Sequence, residues 1–151
     1  MKPRINGLPP AIAKNRENAN RDLAATSPHV LLIDDDPSFR SIMDKVGRKY
    51  GVHITSCASL SEVARLENLQ SYDVVVIDYY LEELKGTELA MLFGATPVLL
   101  MSAQAEHCFE ENTVWPPSVR SFVDKHDGPS AVVQSIISLH QHLYRRSHPL
   151  S

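Results

Sequence analysis

The stretch LLIDDD, residues 31–36, ends an apolar run with three acids. Three further stretches also end an apolar run with a polar residue: VVVID at residues 74–78, VLLMS at residues 98–102 and FVDK at residues 122–125. Apolar runs this short, separated by segments of helical spacing, are typical of buried parallel strands. Ligands bind outside the carboxyl ends of such strands. The pattern therefore predicts that acids, a hydroxyl group and an ammonium group converge on one edge of one sheet.

The segments around these stretches predict five strands that alternate with five helices. The predicted strands cover residues 29–34, 52–56, 73–78, 97–102 and 119–123. Asp36 followed by Pro37 predicts an N-cap with proline as the first helical residue, and Ser59 with Glu62 forms a capping-box pattern. The predicted fold is an α/β doubly wound five-stranded parallel sheet with helices on both faces.

The length and charge of the chain predict one folded domain with short additions. The 151 residues are enough to bury a core, and the hydrophobic share of 43% is ordinary for a globular protein. Residues 1–28 carry five Lys or Arg against two Asp or Glu, so of the net charge of −3 they hold +3 and the remainder holds −6. We predict a mobile N-terminal extension at residues 1–28, a domain at residues 29–146 and a tail at residues 147–151.

Composition also excludes several classes of function. An acidic body is not expected to bind nucleic acid, because phosphate contacts need clustered Lys and Arg. The sequence has no run of 18 apolar residues and no apolar segment behind its basic N-terminus, so we expect neither a membrane span nor a secretory signal. Cys57 and Cys108 are predicted to be reduced, buried thiols. These observations predict a cytoplasmic protein.

The predicted strand ends carry the chemistry of a magnesium and phosphoryl site. Asp34, Asp35 and Asp78 would repel one another at close range unless a cation lay among them. Mg²⁺ takes oxygen ligands from one or two carboxylates together with phosphate oxygens. A carboxylate can also attack a phosphoryl group and form an aspartyl phosphate. Lys125 and Ser102 are suitable partners for the oxygens of that group.

Residues 29–144 resemble the receiver domain of bacterial two-component response regulators, and the chain resembles the stand-alone, single-domain type without an output domain. The resemblance implies the flavodoxin-like receiver fold. It rests on the strand-end acids, the loop after the third strand, and the ends of the last two strands. The matching residues are Asp34, Asp35, Asp78, Leu81, Leu84, Gly86, Ser102, Ala103, Phe122 and Lys125.

The resemblance implies a phosphorylation switch. A sensor histidine kinase or a phosphotransfer protein would donate a phosphoryl group to Asp78. Asp34 and Asp35, with Asp78 and the backbone carbonyl of Tyr80, would bind Mg²⁺. Any enzymatic activity would be limited to weak self-phosphorylation and self-dephosphorylation.

The family's remaining site residues carry over to the last two strands. Lys125 would pair with the phosphoryl group, Ser102 would turn to hydrogen-bond it, and the small Ala103 would leave it accessible. Phe122 would rotate inward. The switch would then act on a downstream protein through the face formed by the fourth helix, fifth strand and fifth helix.

Some positions depart from the family pattern. Glu82 stands where the family usually has proline, and Lys85 where it usually has Asp or Asn. The family's Lys-Pro, typically joined by a cis bond, is here Lys125-His126, so Lys125 either follows a trans path or stores strain. The sequence Trp-Pro-Pro at residues 115–117 predicts a short fourth helix.

Two other functions remain open from the sequence. These departures are also compatible with a receiver-like scaffold that binds partners without phosphorylation. Alternatively, Asp34 and Asp36 form the D-x-D arrangement of haloacid-dehalogenase-type phosphatases, with Asp34 as the nucleophile. That reading leaves Asp78 without a role.

Overall fold

The computed structural model describes residues 27–110 and 114–147 and contains one five-stranded parallel sheet. The strands are β1 (His29–Ile33), β2 (His53–Cys57), β3 (Val74–Asp78), β4 (Val98–Ser102) and β5 (Val119–Asp124). They lie in the order β2-β1-β3-β4-β5, and every pair is parallel. The predicted doubly wound α/β fold is confirmed.

Within the described residues, five α-helices connect and follow the strands. They are α1 (Pro37–Lys49), α2 (Leu60–Ala64), α3 (Gly86–Ala90), α4 (Ala105–Glu110) and α5 (Pro129–Ser147). The predicted caps form: Asp36 accepts hydrogen bonds from the backbone of Ser38 and Phe39, and Ser59 accepts one from Glu62. The described part of helix α4 has six residues and residues 114–117 are not helical, in agreement with the short fourth helix that the sequence predicts.

Alternation along the strands divides the core into two layers. Val30 and Leu32 of β1 face a layer that includes Met43 of α1 and Ile136 of α5. The intervening residues face a second layer with the short helices, whose buried members include Leu31, Ile33, Val63, Leu89 and Cys108. Successive strand residues point to opposite faces, so strands that are apolar throughout require cover on both sides. The sheet is therefore buried between two layers of helices.

The described residues bear on the remaining general predictions only in part. All of the predicted extension except residues 27 and 28, and all of the predicted tail except residue 147, lie outside them, so both stay predictions. Within residues 27–110 and 114–147, no helix combines the length and apolarity needed to cross a bilayer. Cys57 and Cys108 are free, buried thiols, as expected.

Gly86 brings the start of α3 against the end of β3. Its backbone N–H donates to the carbonyl of Tyr79 at 2.7 Å. A Cβ atom at this position would lie 2.7 Å from the carbonyl oxygen of Asp78 and 3.0 Å from the Cα atom of Tyr79. Both neighbours are backbone atoms of the segment that carries Asp78, so glycine is required for this close approach.

We predict that Gly86→Ala lowers the free energy of unfolding by about 1–3 kcal/mol, because the added methyl group must push backbone apart. Gly47→Ala in α1 is the matched control. There the closest atom, also at 2.7 Å, is the tip of the flexible Ile54 side chain, and the nearest backbone atom, the carbonyl oxygen of Val52, lies 3.1 Å away. Alanine also gains about 1 kcal/mol in helix propensity. Urea denaturation of both variants tests the prediction, and equal losses of stability would contradict it.

Candidate functional site

Three carboxylates meet at the carboxyl edge of the sheet. Asp34 and Asp35 follow β1, and Asp78 is the last residue of β3. Strands β1 and β3 are neighbours, with Ile33 paired to Ile77, so the acids that follow them lie side by side. Oxygen atoms of all three carboxylates lie within 4.8 Å of one another. Asp34 is fully buried and Asp78 is only 7% exposed.

Lys125 reaches these acids from the end of β5. Its Nζ lies 2.7 Å from Oδ2 of Asp34 and 3.5 Å from Oδ2 of Asp78. The described residues contain no cis peptide bond, so the bond from Lys125 to His126 is trans. Oδ1 of Asp124 accepts a hydrogen bond from the backbone of His126 at 2.9 Å and caps the short turn that starts at Lys125. The lysine thus follows the trans path that the sequence left open.

Asp34 is held by contacts on every polar group. Its Oδ1 accepts from the backbone of Asp36 at 2.8 Å, and its Oδ2 accepts from Lys125. Its backbone N–H donates to the carbonyl of Cys57 at 3.0 Å, and its carbonyl accepts from Nη1 of Arg40 at 2.7 Å. The position of this carboxylate is therefore fixed without a ligand.

Sequence reasoning missed two residues that support this arrangement. Arg40 binds the carbonyl of Asp34, and the ring centroid of Phe39 lies 4.3 Å from Nζ of Lys125. A cation that contacts an aromatic face away from water gains about 2 kcal/mol. Both residues lie in the first turns of α1, directly after the acids, and that position was the available signal. A helix that starts at the strand end directs its first side chains to the same edge.

Burial and neighbouring charge shift the protonation of the site. Burial raises the pKa of Asp78 to about 6, and the negative charge of Asp34 adds to the rise, while Lys125 opposes it. Burial alone would lower the pKa of Lys125. Its hydrogen bond to Asp34 and the charges of Asp78 and Asp34 outweigh that effect, so the pKa lies above its usual value. The ammonium group stays charged, and it does not balance all three carboxylates.

Hydrogen bonds fix the loop after β3, although its sequence departs from the family pattern. The backbone N–H of Tyr80 donates to Oδ1 of Asp78 at 3.2 Å, and Tyr80 forms an antiparallel bridge with Lys85. The backbone of Lys85 donates to Oε2 of Glu88 at 2.9 Å. Oε1 of Glu83 accepts from the first residue of α2, Leu60, at 3.0 Å. The backbone carbonyl of Tyr80 as a metal ligand stays a prediction.

The other predicted site residues lie on β4 and β5. Ser102 ends β4, one residue after Met101, which pairs with Asp78. It is fully buried, and its hydroxyl oxygen accepts from the backbone of Gln104 at 2.8 Å. Ala103 follows it and is exposed. Phe122 is half-buried in β5, and its ring stacks on that of Trp115. Trp115 is a further residue that sequence reasoning considered only as a helix breaker.

The donor set of the edge fits a magnesium ion. Within residues 27–110 and 114–147, the one group of three potential metal-ligating side chains consists of Asp34, Asp35 and Asp78. All its ligand atoms are carboxylate oxygens, which Mg²⁺ prefers. Asp36 has a different task, since its Oδ1 caps α1. A divalent cation would also balance the negative charge that Lys125 leaves.

Comparison with known proteins identifies the family and the fold. The family described as the response regulator receiver domain matches residues 30–137. The chain is 36% identical over 86 residues to the transcriptional activator protein PfeR of Pseudomonas aeruginosa and 33% identical over 82 residues to the two-component response regulator ARR11 of Arabidopsis thaliana. These matches cover 54% and 51% of this chain but only 28% and 16% of the two relatives.

Solved receiver structures share the fold at low sequence identity. A CheY-like receiver domain protein from Methanospirillum hungatei superimposes with a TM-score of 0.64 at 17% identity, over 80% of this chain and 98% of that one. The response regulator TrrA from Thermotoga maritima, in complex with Mg²⁺-BeF, gives a TM-score of 0.63 at 19% identity, over 74% and 98%.

We predict that Asp78→Asn stabilises the protein at neutral pH but not near pH 4. The folded pKa of Asp78, about 6, lies above its value in the unfolded chain, 3.8. The protonated carboxyl group of Asp78 therefore stabilises the fold fully below pH 4, and this stabilisation is lost as the pH rises through 6. The gain in the variant should approach about 3 kcal/mol above pH 7.

Urea denaturation of wild type and variant in EDTA between pH 4 and pH 8 measures this gain. Asp127→Asn, at an exposed position, controls for the removal of one charge. A difference between wild type and Asp78→Asn that does not change with pH would contradict the prediction.

Proposed function

The chain belongs to the response regulator receiver domain family, and on this premise we propose that it is a signalling switch that accepts a phosphoryl group on Asp78. The observation that carries the proposal is the cluster at the sheet edge, where Asp34, Asp35 and Asp78 meet beside Lys125. A phosphoryl acceptor needs a carboxylate among groups that neutralise the transferred charge. In this cluster Asp78 is the carboxylate, the ammonium group of Lys125 lies beside it, and the acids would hold a cation.

The proposed transfer makes one bond and breaks one. A carboxylate oxygen of Asp78 attacks the phosphorus atom of a phosphohistidine on the donor protein, and the phosphorus–nitrogen bond breaks. The electron pair of that bond stays on the imidazole nitrogen, and the product on this chain is an aspartyl phosphate. With a pKa of about 6, Asp78 is ionised at neutral pH and can act as the nucleophile.

Four groups of the chain would hold a magnesium ion: the carboxylates of Asp34, Asp35 and Asp78 and the backbone carbonyl of Tyr80. When bound, the ion neutralises charge on the acids and on the phosphoryl oxygens. The chain's own cation has a related task. Lys125 moves its hydrogen bonds from the acids to a phosphoryl oxygen.

The remaining site residues turn the modification into a signal. Ser102 hydrogen-bonds the phosphoryl group, Ala103 leaves room for it, and Phe122 rotates inward. The face of α4, β5 and α5 then presents a changed surface to a downstream protein. The proposed phosphodonor is a sensor histidine kinase or a phosphotransfer protein, and the proposed location is the cytoplasm.

We predict that incubation with acetyl phosphate and Mg²⁺ adds one phosphoryl group to the wild-type protein, as measured by intact mass. The adduct should be absent without Mg²⁺ and absent in Asp78→Asn, because that variant lacks the nucleophilic oxygen. Asp73→Asn is the matched control. Asp73 directly precedes the same strand at the opposite edge of the sheet, so this variant should keep the adduct.

Two results would contradict the proposal and support the other functions considered. No adduct under any condition, including phosphoramidate as donor, would favour a scaffold that works without phosphorylation. An adduct that survives Asp78→Asn and disappears in Asp34→Asn would favour a phosphatase that uses Asp34 as nucleophile.

A further inference from the structure

Trp115 is the only tryptophan of the chain, and its ring is stacked on Phe122. The two ring centroids lie 5.7 Å apart with an interplanar angle of 26°. The ring of Tyr79, next to the phosphoryl acceptor, is 6.5 Å from Trp115. Trp115 and Phe122 are both half-buried and pack against the core layer of the short helices. Trp115 thus contacts the residue that the proposed switch requires to move.

The same indole lines a groove on the surface. The groove has a volume of about 530 Å³ and lies between the end of α3 and the start of β5. It is lined by Met91, Gly94, Val114, Trp115, Pro116, Pro117 and Ser118. Met91 is 71% exposed and Val114 is 92% exposed, so the rim of the groove is apolar and open to solvent.

The backbone that follows Trp115 is stiff. Pro116 and Pro117 follow it with restricted φ angles. The hydroxyl of Ser118 donates to the carbonyl of Ala90 at 3.2 Å and ties this segment to the end of α3. The carbonyl of Pro116 accepts from the backbone of Val119 at 3.0 Å. The segment that follows the indole is therefore not a flexible loop that would absorb a movement of the indole.

We propose that Trp115 is a positioning residue for Phe122, and that it carries the movement of Phe122 to the groove. The inference rests on the proposed function, in which Phe122 rotates inward. Rotation breaks the stack, and stacking of this kind shifts an equilibrium between two ring positions by a factor of about 2–12. The rotation of Phe122 would leave a void beside Trp115, and voids in protein interiors are destabilising. The indole follows Phe122 into the vacated space, and the groove changes shape at Met91 and Val114.

Fluorescence of Trp115 in the full chain tests the proposal. Acetyl phosphate and Mg²⁺ are added, intact mass measures the fraction phosphorylated, and emission and acrylamide quenching are recorded on the same sample. We expect a blue shift and weaker quenching that rise with the phosphorylated fraction, because the indole becomes more buried. Mg²⁺ alone and Asp78→Asn are the controls, and neither should give this shift.

The variant Phe122→Leu shows whether the emission of Trp115 changes through Phe122 or through its neighbour Tyr79. The variant keeps an apolar side chain on β5 but has no ring to release, so phosphorylation should leave the emission of Trp115 unchanged. Trp115→Leu provides a second measurement, because loss of the stack frees Phe122 to turn inward. In the proposed switch Asp78 accepts the phosphoryl group while Phe122 is turned inward, so the phosphorylation rate of this variant should rise by a factor of about 2–12, the same equilibrium shift.

The outcomes separate this inference from the proposed function. Absence of a phosphoryl adduct would contradict the proposed function itself. An adduct without a change in emission, with a red shift, or with an unchanged blue shift in Phe122→Leu would overturn the inference alone. An unchanged phosphorylation rate in Trp115→Leu would also overturn it.

Discussion

Two buried carboxylates, those of Asp34 and Asp78, share the ammonium group of Lys125, and a third acid, Asp35, lies beside them. Burial makes this arrangement costly, because charges removed from water lose more than their mutual attraction returns unless hydrogen bonds compensate. Asp34 has those hydrogen bonds on every polar group, and Asp78 has fewer, which is consistent with its raised pKa. The site therefore carries more negative charge than the ammonium group of Lys125 can neutralise.

The topology of the sheet places this excess of negative charge at one edge. Adjacent parallel strands put Asp34 beside Asp78, and β5 delivers Lys125 from the other side of β4. Gly86 lets α3 begin against the backbone of Asp78 without a side chain in the way. The edge also connects to the surface through Phe122 and Trp115, whose stacked rings lie between the sheet and an open apolar groove. In the proposed switch, these two rings would carry a change at Asp78 to that groove.

Local chemistry made most of the fold and the strand-end residues predictable. Apolar runs set the strands, Asp36 and Ser59 cap their helices, and parallel topology gathers the strand-end residues. The position of Arg40 after the acids pointed it to the same edge, but the contacts of Arg40 with Asp34 and of Trp115 with Phe122 were themselves not predictable. They depend on side-chain directions across packed elements, and sequence spacing does not fix those. The trans path of Lys125 likewise depends on a local cap by Asp124.

Asp78 is a buried carboxylate short of positive charge, and its pKa reports this shortage. The side-chain carboxyl ¹³C shift of Asp78, followed through a pH titration with and without Mg²⁺, measures that pKa. We expect a midpoint near pH 6 without the metal, which moves to lower pH when Mg²⁺ is added because a cation favours the ionised form. A midpoint near 4 without metal, or a midpoint that Mg²⁺ does not move, would contradict it.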